Sequence, residues 1–527
     1  MPFARLLLAS FSGMIQILLF PRFSFSPLAW VMLLPLLWVL DRSRPCKSFW
    51  LSVHFGLVSA VGVTYWLYHA VVGYFGLSPW LALPLILGIH LFSAALYFGF
   101  FGLLAGSFRD RFHSWYAPFW IAALWVLSEF ARGRSITKDP WMLLGYSQHA
   151  NLGIIQIADL TGVYGVSFLI VMINVCLYQI LSHVIGLRRN SVPFRAGFVL
   201  GRSGVAVAVV LLCWLYGHIR LQDFDRTSAC PGGSRERPVR IAVVQGNIPS
   251  EFRWKSIFYA KTLEIYLRAS LKVLEEPGLD LLVWPENALN FHPDREGLFL
   301  KLITSSLKSG SSTLVTGAPR MEEGNGRGKQ LFFNSVFFIT GSGIQQIYDK
   351  IVLLPLSEKK DLWPLRLFRS YGESPAEFTP GTDYEVFRSP FGDFSTPVCF
   401  EMIYPEHVRK FVEEGAGFLV NLSNDSWLGP TAAPHQHLVY SVFRAIENRR
   451  WVVRAANTGI SAFVAPSGRI VSRSDLNEAA VLQAEVEPLR IESLYTRRGD
   501  WFVGLCLAVV VCGCLGSVVA RKLGKRV

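Results

Sequence analysis

Residues 48–108 form a run of 61 positions without Asp, Glu, Lys or Arg. A helix crosses a bilayer with about 20 apolar residues, so this run holds two crossings and a turn, which Gly73 and Pro79 bracket. Residues 160–187, 203–219 and 501–520 are also uncharged, and shorter apolar runs occupy 6–20, 27–40 and 115–128. The pattern predicts eight membrane-spanning helices, near 6–20, 27–40, 49–71, 80–107, 115–131, 163–186, 203–219 and 501–520. Arg5 followed by Leu6-Leu7-Leu8-Ala9-Ser10 also fits a cleaved leader, but a second apolar segment follows at once, which favours a span.

After residue 238 the period changes. Short apolar runs at 239–247, 279–286, 313–317, 394–399, 418–422, 451–455 and 461–465 read as strands. Residues 332–338 and 343–348 read as a hairpin, and 260–276, 297–309, 404–414 and 435–450 carry helical spacing. Strands alternating with helices imply an α/β domain with sheets sandwiched by helices, an αββα arrangement. The expected organisation is a seven-helix membrane domain at 1–222 and a Pro/Gly-rich linker at 223–238. An α/β domain at 239–498, an eighth helix at 499–520 and a basic tail at 521–527 complete it.

Composition agrees with membrane segments: 51% of residues are hydrophobic and only 17% charged. Charge then orients them, because cytoplasmic loops carry the excess of Lys and Arg. With the N-terminus inside, the inner segments hold fourteen cations: Arg5; Arg42, Arg44 and Lys47; Arg109 and Arg111; Arg188, Arg189, Arg195 and Arg202; Arg521, Lys522, Lys525 and Arg526. The short outer loops hold four: Arg22, Arg132, Arg134 and Lys138. Both termini are therefore expected in the cytoplasm and residues 221–500 outside it. The net charge of +13 is largely explained this way, and no basic run interleaved with aromatics suggests a nucleic-acid partner. Of eight cysteines only Cys230 and Cys399 fall in the outer domain. No C-x-x-C pair occurs, so neither a metal site nor a cofactor is expected. A Cys230–Cys399 disulfide is disfavoured by the linker position of Cys230.

Three strand ends carry the candidate chemistry. Trp284-Pro285-Glu286 puts a carboxylate after an apolar strand, Tyr348-Asp349-Lys350 a lysine, and Val398-Cys399-Phe400 a thiol that should stand exposed at a strand-to-helix turn. Converging on one sheet edge, they make a usable set. Glu286 takes the thiol proton, while Lys350 stabilises an oxyanion and lowers the thiol pKa. Taken singly, a cysteine is more often a small core residue than a nucleophile, and Lys350 reads as a surface lysine.

The order Glu286, Lys350, Cys399 resembles the Glu–Lys–Cys triad of the nitrilase superfamily. With eight spans around it, the chain resembles the bacterial apolipoprotein N-acyltransferase family nearly end to end. Gln245-Gly246-Asn247-Ile248-Pro249, Phe333-Asn334-Ser335, Asn421-Leu422-Ser423-Asn424-Asp425-Ser426-Trp427 and Arg454-Ala455-Ala456-Asn457-Thr458-Gly459-Ile460-Ser461 support the match. The resemblance implies that Cys399 takes an acyl chain from a membrane phospholipid as a thioester. The α-amine of a diacylglyceryl-cysteine apolipoprotein then removes it. It further implies an inner-membrane protein with the catalytic domain on the periplasmic side. Glu286 is implied as base and Lys350 as oxyanion stabiliser, with Glu358, Glu401, Trp254, Asn334 and Phe400 in support. The alternative is a membrane-tethered nitrilase-type amidase acting on a small amide. Trp363, Leu365, Leu367, Phe368 and Trp427-Leu428-Gly429 are candidate lid residues. The chain departs from the family's usual pattern at Ser357, where glycine is common, and at Phe400, where tyrosine is.

Overall fold

The computed structural model describes residues 2–135, 138–188, 196–229, 237–252, 255–310, 312–324, 330–355, 357–359 and 377–522. The chain divides into two compact units. One comprises 1–65, 80–223 and 498–527, the other 66–79 and 224–497.

The first unit is helical. Among the described residues four helices are by themselves long and apolar enough to cross a membrane: Pro45–Val63, Pro79–Ser107, Val163–Gly186 and Gly201–Phe224. Shorter apolar helices span Phe3–Leu19, Ser26–Asp41, Leu152–Thr161 and Trp501–Gly516. Small residues let Pro45–Val63 and Pro79–Ser107 approach closely, as lipid-embedded helices require in place of a hydrophobic driving force. A Cβ on Gly102 would lie 2.1 Å from the Ser52 hydroxyl, and one on Gly56 would lie 2.8 Å from the Ala95 Cα. On the Gly201–Phe224 helix Leu211, Leu212, Trp214 and Leu215 are all exposed, an apolar face suited to lipid rather than water.

Two sequence expectations change here. The third span, expected to reach residue 71, ends at Val63. Residues 66–79 belong to the other unit, where the Trp66 indole donates to the Gln436 side chain at 3.1 Å. The expected span at 27–40 is broken into a short turn of helix at Ser26–Trp30 and a helix at Leu34–Asp41.

The second unit holds two sheets. The first has the order β11-β1-β2-β3-β4-β5, with β1 Val239–Gln245, β2 Leu281–Val283, β3 Thr313–Glu323, β4 Gln330–Thr340, β5 Gly343–Asp349 and β11 Ala480–Val486. The second runs β10-β9-β8-β7-β6, with β6 Phe394–Ser395, β7 Phe418–Ser423, β8 Val452–Ala456, β9 Ala462–Val464 and β10 Ile470–Arg473. β1, β2 and β3 are parallel, as are β6, β7 and β8, and antiparallel strands flank each set.

β1 packs on β8 and β10 on β11, so the sheets stack. On the outer face of the first sheet Ala242, Val244, Leu282, Trp284 and Leu314 meet Leu263, Tyr266, Val273, Ile303 and Leu307. Those partners come from the helices Tyr259–Glu275 and Gly297–Gly310. With both faces covered, the central strands are apolar at nearly every position instead of alternating. Each buried Leu or Phe here contributes about 1.5–3 kcal/mol.

β10 and β11 were not anticipated from the sequence. β11 alternates half-buried and exposed positions and closes an edge, pairing all seven residues with β1. The strand expected at 394–399 is cut to Phe394–Ser395, and Val398 keeps only an isolated bridge to Leu422.

Candidate active site

Glu286 is set by the end of β2. The Trp284 amide donates to the Val315 carbonyl at 2.9 Å, and the indole donates to the Ser270 hydroxyl at 3.0 Å. Beyond this anchor the chain turns against β3 at Gly317. A Cβ there would lie 2.6 Å from the Glu286 Cα, so only glycine permits the approach. Lys350 follows β5, and its amide donates to the Asn334 carbonyl at 2.9 Å.

The two side chains meet in the interior. Lys350 Nζ donates to Glu286 Oε1 at 3.1 Å and to Glu358 Oε1 at 3.0 Å. Asn334 Nδ2 donates to the same two oxygens, at 2.8 and 2.6 Å. The Asn424 amide donates to Glu286 Oε2 at 2.8 Å, and the Leu354 amide to Glu358 Oε2 at 2.7 Å. Lys350 is 1% exposed, Glu286 4% and Glu358 6%. Buried charges survive when paired and hydrogen-bonded, and each of these is both. Burial alone would lower the pKa of Lys350, but the carboxylates of Glu286 and Glu358 outweigh it and hold the ammonium well above its ordinary value.

Cys399 opens a 3-10 turn, Cys399–Ile403, with φ +50°. A non-glycine residue in this left-handed region costs about 1–3 kcal/mol and persists only where its surroundings hold it, commonly at functional sites. The thiol is free and 2% exposed. The sequence reading expected it exposed. The depth has a chemical consequence: burial, and then the Glu286 carboxylate, push the thiol pKa up, while Lys350 pulls it down without prevailing. At rest Cys399 is therefore a thiol, and it would need a base in order to react as a thiolate.

Glu401, 0% exposed, ties the nucleophile turn to the lysine loop. It accepts from the Val398 amide at 2.7 Å, the Ile351 amide at 2.8 Å, the Val352 amide at 2.9 Å and the Tyr348 hydroxyl at 2.9 Å. Burial opposes its ionisation, yet His407, 3.2 Å away, and these donors hold its pKa below the usual value. Phe400 packs edge-on against Tyr404, with ring centroids 5.6 Å apart.

The structure thus brings together Glu286, Lys350, Cys399, Glu358, Asn334 and Glu401, with Phe400 beside them. Trp254, Cys230 and the candidate lid residues Trp363, Leu365, Leu367 and Phe368 lie outside the described residues. Trp427 and Leu428 were also candidates for a lid, but they are packed inside. Leu428 is fully buried, and Trp427 meets Trp66 edge-on at 5.9 Å. Sequence reasoning missed the buried set His437, Asp425 and Arg454 on the far side of Cys399. Its sequence signals were Asp425 just past the end of β7 and Arg454 inside an otherwise apolar strand, both within stretches that carried the family resemblance.

Two stacked sheets with outer helices, and a carboxylate, a lysine and a thiol converging past the carboxyl ends of their strands, define a nitrilase-like catalytic domain. Residues 240–495 match the carbon-nitrogen hydrolase family, and residues 12–176 match the apolipoprotein N-acyltransferase N-terminal domain. An apolipoprotein N-acyltransferase of Geobacter metallireducens is 36% identical over 505 residues, 95% of this chain and 93% of that protein. One from Coxiella burnetii is 29% identical over 92% of this chain and 94% of its own. Among solved structures, Saccharomyces cerevisiae Nit3, a nitrilase-superfamily member, is 19% identical, covers 50% of this chain and 93% of its own, and has a TM-score of 0.35. The chain belongs to the apolipoprotein N-acyltransferase family, and it is a membrane protein.

Proposed function

We propose that the protein moves a fatty acyl chain from a membrane phospholipid to the α-amine of the N-terminal diacylglyceryl-cysteine of apolipoproteins, through a thioester on Cys399. The observation that carries the chemistry is the meeting of Glu286 and Lys350 in one buried cluster whose charges act on the Cys399 thiol. Family membership over both domains supports the lipid substrates.

In the first half, Glu286 takes the proton from Cys399 Sγ as sulfur attacks the ester carbonyl carbon of the phospholipid. The carbonyl oxygen becomes an oxyanion, stabilised by the Lys350 ammonium. The carbon–oxygen bond breaks, the departing lysophospholipid alkoxide takes the proton from Glu286, and the thioester remains. In the second half, the α-amine nitrogen attacks the thioester carbon and gives its proton to Glu286. The carbon–sulfur bond breaks, and the thiolate regains that proton. A thiol serves both halves because it is a good nucleophile and a good leaving group. Glu358 and Asn334 hold Lys350 and Glu286 in register, and Glu401 holds the nucleophile turn.

Eight membrane crossings, cytoplasmic termini and a periplasmic catalytic domain complete the proposal. The distribution of cations between alternate loops supports that orientation. The test is a reconstitution with phospholipid and a diacylglyceryl-cysteine peptide. Wild-type protein should add one acyl chain to the peptide amine, and Cys399→Ala should add none. Hydrolysis of small amides without acylation of the peptide would establish the amidase reading instead.

A further inference from the structure

His437 stands on the helix Ala433–Asn448 with its side chain 1% exposed, and its Nε2 lies 3.1 Å from the carbonyl oxygen of Cys399. Its position is built from the other side. Arg454 Nη2 lies 3.1 Å from His437 Nδ1 and donates to Asp425 Oδ2 at 2.7 Å. Arg454 Nη1 donates to Asn421 Oδ1 at 2.5 Å, and the Asn421 amide nitrogen donates to the Pro397 carbonyl at 2.8 Å. One buried network therefore grips the backbone on both sides of Val398, at Pro397 and at Cys399.

The tautomer follows from the partners. A carbonyl can only accept, so Nε2 carries a proton, while Nδ1 sits between the Asp425 carboxylate, whose Oδ1 is 3.0 Å away, and the Arg454 guanidinium. Burial and then Arg454 lower the His437 pKa, against the opposing pull of Asp425. The Cys399 carbonyl and the Phe400 amide belong to one peptide plane. A donor at the oxygen fixes that plane and, by polarising it, strengthens the N–H at its other end. It also opposes relaxation of the left-handed φ of +50° at Cys399.

We propose that His437 is a positioning residue for acyl transfer: its Nε2–H, seated by Arg454 and Asp425, sets the Cys399–Phe400 peptide plane. It thereby aims both the thiol and the Phe400 N–H at the acyl carbonyl. This rests on the acyl-transfer reading of Cys399.

The experiment uses full-length protein in detergent with labelled phospholipid, reading the burst of lysophospholipid release together with kcat and KM for the donor. Removing an oxyanion donor outright costs about 100- to 1,000-fold, so losing its support in His437→Ala should slow acylation about 10- to 100-fold, with KM changed less than about threefold. His437→Gln places an amide N–H near the same carbonyl and should restore the rate to within about fivefold of wild type. A wild-type burst rate in His437→Ala overturns the proposal. So does a His437→Gln protein that is as slow as His437→Ala, since packing alone would then explain the loss. If His437→Ala does not fold, His437→Asn, whose shorter amide falls short of the carbonyl, replaces it, and a wild-type rate there is equally fatal. A wild-type protein that gives no burst at all removes the acyl-transfer reading itself, an outcome distinct from normal wild-type bursts with an unaffected His437 variant.

Discussion

Cys399 carries the argument at the scale of single residues, and what matters is the protonation of its thiol. Burial and the Glu286 carboxylate keep it protonated. Alkylation by iodoacetamide should therefore be slow at neutral pH and rise only above the ordinary thiol range near pH 9. Glu286→Gln removes the carboxylate that raises the thiol pKa, so its alkylation profile should shift to lower pH. Acyl transfer should nevertheless fall about 100- to 10,000-fold, because the base is gone. A profile unmoved or displaced upward would show that Glu286 does not act on the thiol. Glu286, Lys350 and Cys399 could be picked out in the sequence because each follows a strand-like run. The depth of the thiol was not, since burial depends on what other segments place over it. His437 was invisible for the same reason: nothing local marks one helical histidine as the partner of a backbone carbonyl 38 residues away.

Among elements, the β2–β3 pair places Glu286, the proposed base. Gly317 on β3 gives the Glu286 turn its room, and the clash a Cβ would meet is with backbone, which cannot swing aside. Gly317→Ala should destabilise the domain by about 1–3 kcal/mol, seen as a lowered Tm, and should reduce kcat more than it raises the donor KM. Unchanged kcat would mean that the turn tolerates displacement. β1, β2 and the start of β3 were readable because continuous apolar runs mark strands buried on both faces, and β4 and β5 read as a hairpin. β10 and β11 escaped because edge strands carry a diluted pattern: β11 alternates and β10 has only four residues. β6 was overread, since the apolar run through Val398 continues past the point where ladder pairing stops. Residues 66–71 were misread for a similar reason. Hydropathy alone does not distinguish a lipid-facing segment from one such as Trp66, whose ring packs on Trp427 inside the catalytic unit.

For the whole molecule, the membrane placement and the chemistry are separate claims with separate tests. Lys261 is exposed on the helix Tyr259–Glu275. Lys261→Cys should react with an impermeant maleimide in intact spheroplasts, and labelling only after lysis would reverse the proposed orientation. The apolar runs made a membrane protein evident, but four helices, not eight, meet the length and hydropathy of a crossing unaided among the described residues. Of the others, the segment at Ser26–Asp41 is broken after Trp30. The central claim is that Cys399 carries the acyl chain between two lipid substrates. Its most direct measurement is the mass of the Cys399 peptide after incubation with labelled phospholipid and no acceptor. One fatty acyl chain should be bound to Cys399, released by hydroxylamine and discharged on adding a diacylglyceryl-cysteine peptide. An unmodified Cys399 in protein that still acylates the peptide would contradict that claim.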